Sequence, residues 1–370
     1  MKTSKRSTQN VSLLVITAIL LGACATQPMG PGLSPKVEYA KRFADPGVSL
    51  AANVVGGPPN AVANVRVVDV GPGLCNVIAV DGGHYALYDA GWSGDRCLDA
   101  AIEMAGDDGL EYVFISHSDA DHLGDLADIL KKLDVDVIYR AGMRRDTRTW
   151  KRGNSRVGIE ARYDASVINL QTIDLEPGTV LKLGEATLTL VAGWPEWTET
   201  DLSESELRNA ISLVVRLEID GASVLFTGDT VGRRKDDPAS ACKDAEKAMV
   251  DNAGNVSLDA DVIIAPHHGA NNGSARCFIE AVDPEFVVFS AGHKYKHPSD
   301  AAAQRYLAHG VNQSKMFRTD LGDAEGGFEW PAGSISGCRD PVGDDDVDIW
   351  LLDDGDVVVE YRDQQSGQDC

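Results

Sequence analysis

Ile115-Ser116-His117-Ser118-Asp119-Ala120-Asp121-His122-Leu123-Gly124 is the stretch that decides the fold. It follows an apolar run of strand length, Tyr112-Val113-Phe114-Ile115. It leads into residues 123–133, whose apolar residues have helical spacing. Imidazole and carboxylate groups are therefore concentrated at a strand-to-helix turn. Rigid elements on both sides of such a turn aim its side chains into one cavity. Imidazole is a borderline ligand and carboxylate a hard one, so the mixed set suits zinc, manganese or iron. Taken alone, the same residues also describe a polar loop rich in turn formers.

Segments further along reduce that ambiguity. Val224-Leu225-Phe226-Thr227-Gly228-Asp229-Thr230 is an apolar strand that ends in an acid. Ile263-Ile264-Ala265-Pro266-His267-His268-Gly269 ends in two imidazoles. Ser290-Ala291-Gly292-His293 closes a third strand, and His297-Pro298-Ser299 opens a helix. Of the histidines, only His84 and His309 lie outside these pieces. Histidines scattered over a surface would not gather at strand ends, so the pattern points to a binuclear metal site.

Strand-like runs fall at 64–70, 76–81, 84–88, 110–116, 135–139, 178–183, 186–192, 210–218, 222–227, 261–265 and 285–290. Helical patterns fall at 97–105, 123–133, 239–252 and 299–309. Strand clusters followed by helices, in two rounds, predict an α/β protein with two sheets packed face to face and helices outside. An Asp-Gly turn signal in Asp353-Asp354-Gly355-Asp356 predicts a hairpin.

HxDxDH, then Gly-Asp, then His-His-Gly resembles the metallo-β-lactamase superfamily. Within it, the chain resembles the hydrolase domain of ComEC-type competence proteins used in DNA uptake. Further matches are Asp69-Val70-Gly71, Asp89-Ala90-Gly91, Arg208-Asn209-Ala210-Ile211-Ser212-Leu213, His297-Pro298-Ser299 and Arg318-Thr319-Asp320. The resemblance covers about residues 64–325 and implies the αββα four-layer sandwich. It also implies a hydrolase with two divalent metal ions, zinc or manganese, that activate a bridging water for attack on phosphorus or a carbonyl carbon. His117 and Asp119 would bind the first ion, with Asp119 standing where many relatives have a second His. Asp121 and His122 would bind the second, Asp229 would bridge, and His267 or His268 would complete the second site. Asn209 stands where many relatives have a further first-site His. That makes the first site oxygen-rich and shifts preference toward manganese. Asp121 would also orient the water, and His297 would donate to the oxyanion or leaving group. The family's Gly-Gln-Gly-Asp is replaced by Gly71-Pro72-Gly73-Leu74-Cys75, so the acid found there in relatives is absent.

The charge pattern suggests the substrate. The chain has 370 residues and a net charge of -23, yet residues 140–162 hold Arg140, Arg144, Arg145, Arg148, Lys151, Arg152, Arg156 and Arg162 against Asp146 and Glu160. Arg233, Arg234 and Lys235 follow Asp229, while Lys294 and Lys296 precede His297. A focused positive patch steers anions, and guanidinium matches phosphate geometry. The expected substrate is anionic and phosphate-containing, a phosphodiester, positioned by Asn209, Arg144 and Arg145. The alternative for the segment is a solvated loop paired to an acidic surface. The rival functions are a carbonyl ester, lactone or thioester hydrolase of the same fold, and a non-catalytic envelope scaffold.

The termini carry other information. Lys2, Lys5 and Arg6 precede the apolar run Val11–Leu21, which is too short to span a bilayer. Leu21-Gly22-Ala23-Cys24 resembles the bacterial lipobox, which implies acylation of Cys24 and a lipid anchor in the cell envelope. Residues 1–23 are thus expected to be a signal peptide and 24–62 a tether. Residues 63–330 form the expected hydrolase domain, and 331–370 an acidic extension with the hairpin. No apolar run after residue 24 is long enough to span a membrane. The remaining cysteines suit disulfides between sequence neighbours: Cys75–Cys97, Cys242–Cys277 and Cys338–Cys370.

Overall fold

The computed structural model describes residues 57–160, 166–169, 176–194, 197 and 201–363. The expected signal peptide, Cys24, Arg162, Cys370 and most of the expected tether lie outside the described residues.

The first sheet has the strand order β15-β14-β1-β2-β3-β4-β5-β6. Its strands are β1 (Ala61–Val67), β2 (Cys75–Val80), β3 (His84–Ala90), β4 (Leu110–Ile115), β5 (Val135–Arg140), β6 (Ser166–Asn169), β14 (Val347–Leu352) and β15 (Val357–Tyr361). The second has the order β13-β12-β11-β10-β9-β8-β7. It comprises β7 (Thr179–Leu183), β8 (Ala186–Ala192), β9 (Val214–Ile219), β10 (Ala222–Phe226), β11 (Val262–Ile264), β12 (Phe286–Phe289) and β13 (Met316–Arg318). Both sheets are mixed in the same way: meandering antiparallel strands lead into parallel ones, β3 to β6 and β10 to β13. Residues 347–361, which the sequence sets apart as an extension, form a hairpin, and β14 pairs with β1.

The inner faces of the sheets form one apolar core, where Val65, Ile78 and Phe114 meet Leu188, Leu217 and Val224. Tyr88 stacks on Phe226 across it, with ring centroids 5.1 Å apart. The Tyr88 hydroxyl donates to Leu213 O at 2.5 Å, avoiding the ~1–3 kcal/mol cost of an unpaired buried hydroxyl. Outside the first sheet, α1 (Arg96–Ala105) and α2 (Leu126–Lys132) bury Leu98, Ala101, Ile129 and Leu130 against Val77, Leu87 and Val113. α3 (Arg148–Glu160) packs beside α2. Outside the second sheet, α5 (Asp244–Asn252), α6 (Arg276–Val282) and α7 (Asp300–His309) bury Met249, Phe278, Ile279 and Tyr306 against Leu225, Ile263 and Phe289. The architecture is the expected αββα sandwich.

α4 (Glu204–Ala210) begins at a capping box: Ser203 Oγ accepts from Glu206 N, and Glu206 Oε2 accepts from Ser203 N. The Ser-x-x-Glu signal is present in the sequence, although the apolar pattern outlined no helix there. Disulfides join Cys75 to Cys97 and Cys242 to Cys277, as neighbour pairing expects. Cys338 is also disulfide-bonded.

Candidate metal centre

The polar loops leave the carboxyl ends of parallel strands, where open α/β sheets ordinarily carry their sites. Register brings them together. β10 pairs with β11 through Phe226↔Ile264, so Asp229 and His267 each emerge three residues past aligned ends. β3 pairs with β4 through Tyr88↔Phe114, which sets Asp89 beside the 115–124 loop. That loop is clamped by Leu74 N to Asp121 O at 3.0 Å, Ala90 N to His122 O at 2.7 Å and Gly124 N to Gly91 O at 2.7 Å. Gly228 has φ 53°, and a Cβ there would lie 2.7 Å from Ser116 Cβ, so only glycine lets the two loops pass. His267 and His268 both take left-handed backbone (φ 51° and 57°), a strained pair that points both imidazoles inward.

The imidazoles converge on one carboxylate. His122 Nε2 lies 3.2 Å and His268 Nε2 3.4 Å from Asp229 Oδ1. His117 Nε2 and His267 Nε2 each lie 3.7 Å from Asp229 Oδ2. His117, His122 and Asp229 form one group of possible ligand atoms, all within 4.8 Å of one another, and Asp121, His122 and His268 form a second. His122 is shared between them.

The opposite ring nitrogens are already committed. His122 Nδ1 meets Asp89 Oδ2 at 2.8 Å, and His268 Nδ1 donates to Ser290 O at 2.8 Å. His267 Nδ1 donates to Asn272 Oδ1 at 2.8 Å, and His117 Nδ1 is 3.0 Å from Ser116 Oγ. Asp89 is itself fixed by Ser116, whose N donates to Oδ1 and whose Oγ donates to Oδ2. This is the outer shell that orients metal-binding histidines and fixes their tautomers.

The arrangement fits divalent cations. His117 Nε2 and Asp229 Oδ1 are buried without a hydrogen-bond partner. His122 Nε2 and His268 Nε2 face each other at 3.2 Å, an opposition of lone pairs that a proton or a cation must relieve. Burial drives the His117 imidazole down to about 3, with His122 adding to the effect, and burial also lowers His268. Both are thus neutral donors. Burial works against the charged form of Asp229, yet His122, His268 and His267 together hold it well below the carboxylate range. Burial likewise opposes charging His122, but Asp229 and Asp89 outweigh it and raise that imidazole well above its ordinary value. A metal ion would displace this proton.

Asp119 stands apart from both groups. Its Oδ1 accepts from Arg208 Nε at 2.7 Å and its Oδ2 from Arg145 Nη1 at 3.0 Å, so the carboxylate pins the loop to α4. Asn209 reaches the site through Nδ2, 3.3 Å from His267 Nε2, while its buried Oδ1 has no partner. His297 is partly buried with its ring 6.1 Å from that of His267. Its Nδ1 is buried without a partner, and burial lowers the ring to about 3, helped by His267 and His268. Arg144 is exposed and forms no ion pair among the described residues.

The basic segment is mainly a brace. Arg140 lies over Trp150 and donates to Asn154, Arg152 pairs with Asp128, and Arg156 donates to Leu130 O. Arg233 is tied to Asn271 and Arg234 to Asp244. Lys294 is held on two rings, its Nζ 3.9 Å from the Trp92 ring centroid and 4.7 Å from that of Tyr295. Sequence reasoning missed the roles of Asp89 and Arg208, although both lie in quoted motifs. The available signal was an acid at the end of a buried strand.

The model of the metallo-beta-lactamase superfamily matches residues 68–293. "Competence protein ComA" of Neisseria gonorrhoeae is 27% identical over 319 residues, covering 84% of this chain and 38% of that protein. "ComE operon protein 3" of Bacillus subtilis is 24% identical over 230 residues, covering 61% of this chain and 26% of that protein. The chain thus spans well under half of these relatives. Among solved structures, the metallo-beta-lactamase fold protein YhfI from Bacillus subtilis aligns with a TM-score of 0.43 at 13% identity, covering 69% of this chain and 95% of that one. CmlA, a diiron β-hydroxylase from Streptomyces venezuelae, aligns with a TM-score of 0.42 at 15% identity, covering 71% and 53%.

Proposed function

Because the chain belongs to the metallo-β-lactamase superfamily, a family of metal-dependent hydrolases, we propose that it hydrolyses phosphodiester bonds at the cluster around Asp229. The observation that carries this reading is the convergence of four Nε2 atoms on one buried carboxylate, with each Nδ1 engaged elsewhere. His117, His122, Asp229 and His268 would hold the divalent ions, zinc or manganese, with Asp121 beside His122 and His268. Bound there, such ions supply Lewis acidity and a nucleophilic water at neutral pH.

The chain's own groups supply the rest. Asp121 is partly exposed at the cluster's edge and accepts a hydrogen bond from the attacking water, which fixes its direction. His297, neutral because buried, donates a hydrogen bond to the leaving group or to the developing oxyanion. Asn209 orients His267. Lys294, held on Trp92, places positive charge where a phosphate would enter. Arg145 serves indirectly by fixing Asp119. An acylated Cys24 would tether the enzyme in the cell envelope. The two relatives with competence names support a place there, and no helix among the described residues is long and apolar enough to cross a membrane.

The test is an activity panel on the mature protein with zinc or manganese: bis-p-nitrophenyl phosphate, single-stranded DNA and a lactone. Turnover of the first two is expected. Turnover of carbonyl substrates alone sinks the phosphodiester reading. Metal content below one ion per chain makes the protein a scaffold.

A further inference from the structure

Solvent reaches the cluster around Asp229 at three residues. Asp229, His117, His122 and His268 are buried, whereas Asp121, His267 and His297 are only partly so. Two loops border those three residues, and each carries an aromatic ring. Trp92 lies beside Asp121: a Cβ built on Gly73 would be 2.6 Å from Asp121 O and 2.7 Å from Trp92 N. Tyr295 lies beside His297, with ring centroids 6.2 Å apart, and the His297 ring is 6.1 Å from that of His267. Lys294 ties the two loops together, its Nζ over the Trp92 ring at 3.9 Å and over the Tyr295 ring at 4.7 Å.

Neither ring belongs to the apolar core. Trp92 is partly exposed, and Tyr295 is 47% exposed. Large aromatic side chains left at the surface beside a cluster of polar groups mark a place where something docks. The lysine between them is also unusual. Arg145, Arg208 and Arg234 are each taken up by an acid. Lys294 is exposed and is paired with no carboxylate among the described residues, in a chain of net charge -23. An ammonium resting on an exposed ring is held more weakly than a base stacked on that ring. A planar group can therefore take the face that Lys294 covers, and the released ammonium is then free to meet a phosphate.

We propose that Trp92 and Tyr295 form a subsite for a planar ring of the substrate, a nucleobase, carried beside the phosphodiester that the cluster cleaves, and that Lys294 passes from the rings to the phosphate as the base enters. The inference rests on the phosphodiester reading above and adds which phosphodiesters are preferred. Trp92 stands by Asp121 and Tyr295 by His297, so a ring held between them keeps its own phosphate near both groups. Stacking uses the π-face that every base has, so the subsite separates nucleotide esters from alkyl esters without choosing among bases. A phospholipid diester has no such ring and gains nothing from it.

The test uses the mature chain supplied with zinc or manganese and two esters with the same leaving group: the p-nitrophenyl ester of thymidylate and methyl p-nitrophenyl phosphate. The first should have a kcat/KM at least about tenfold higher, the scale of one base stacked on an aromatic ring. Trp92→Ala and Tyr295→Ala should each remove most of that preference and leave the methyl ester within about twofold of the parent, while Trp92→Phe should keep the preference. Lys294→Gln should lower both esters together, since it removes the charge and not the rings. Calorimetry with thymidylate and with deoxyribose phosphate reads binding without turnover, and thymidylate should bind more tightly by a similar factor. Equal kcat/KM for the two esters with equal binding of the two phosphates overturns the subsite and leaves the phosphodiester reading standing. A Trp92→Ala or Tyr295→Ala variant that lowers both esters together also overturns it, because the rings then only brace their loops. If neither ester is cleaved, yet thymidylate outbinds the sugar phosphate and loses that advantage in Trp92→Ala, the subsite stands and the phosphodiester reading falls.

Discussion

Asp229 and Asp340 are both buried carboxylates, yet their surroundings push them in opposite directions. Asp229 is ringed by imidazoles, and His122, His268 and His267 hold it ionised against the cost of burial. Asp340 is ringed by acids, and burial with Asp345, Asp344, Asp69 and Asp320 lifts it to about 9. At the first cluster burial keeps His117 and His268 neutral while Asp229 and Asp89 raise His122 against its burial, and the ring nitrogens turn inward onto a carboxylate that stays charged, which suits a borderline metal. The second is mostly oxygens, with the His293 Nδ1 on Asp323, and burial pushes its Asp340 carboxyl toward the protonated form. The charge state of a buried carboxylate is therefore set by whether imidazoles or other acids surround it.

The largest expected effect comes from taking a shared nitrogen out of the first cluster. His122→Ala should remove metal and lower turnover by about a thousandfold or more, the several kcal/mol that Lewis-acid activation supplies. Metal analysis beside the kinetic assay checks it, and full metal retention would show that His122 is not a ligand. His297→Ala comes next. Turnover should fall about a hundredfold with metal content unchanged, since the residue serves through a hydrogen bond. A parallel loss of metal would move His297 into the ligand set. Asp89→Asn should act one shell further out, weakening metal affinity about 10–100-fold while the protein keeps its fold, as read by metal titration and circular dichroism.

The legibility of the two clusters differs for a physical reason. The first was largely readable, because each of its residues sits just past an apolar strand and strand ends converge in this fold. His117, Asp121, His122, Asp229 and His268 meet as that pattern requires. Spacing along a loop does not reveal that Arg208 and Arg145 take up the Asp119 carboxylate, which sets it apart from the other residues of the motif. The basic segment from Arg140 left two readings open for a related reason. Composition reports charge but not whether it faces solvent, and part of this segment is α3, whose Arg152 and Arg156 bind back to Asp128 and Leu130 O. The acid-rich cluster was not readable as a unit. Its members lie far apart in sequence, and only the pairing of β14 with β1 brings Asp69 to the 340–346 segment.

The smallest expected effect tests the second cluster by pH. The folded state raises Asp320, Asp69 and Asp340 to about 6, 8 and 9, all above the ordinary carboxylate value of 3.8. Between those limits the folded chain binds more protons than the unfolded one. This contribution is therefore full below about pH 4 and lost as pH rises from 6 to 9. The basic side chains facing the cluster are Arg318 on Asp320 and Glu329, the His293 ring on Asp323, and Arg96 and Arg362 beside Asp346. None of them is paired with Asp340. The melting midpoint should thus decline from pH 6 to pH 9, and Asp340→Asn should restore a few degrees at the alkaline end. Thermal melts of both proteins across that range decide it. If Asp340→Asn instead steepens the alkaline decline, Asp340 is held ionised by a positive partner, and the contrast with Asp229 collapses.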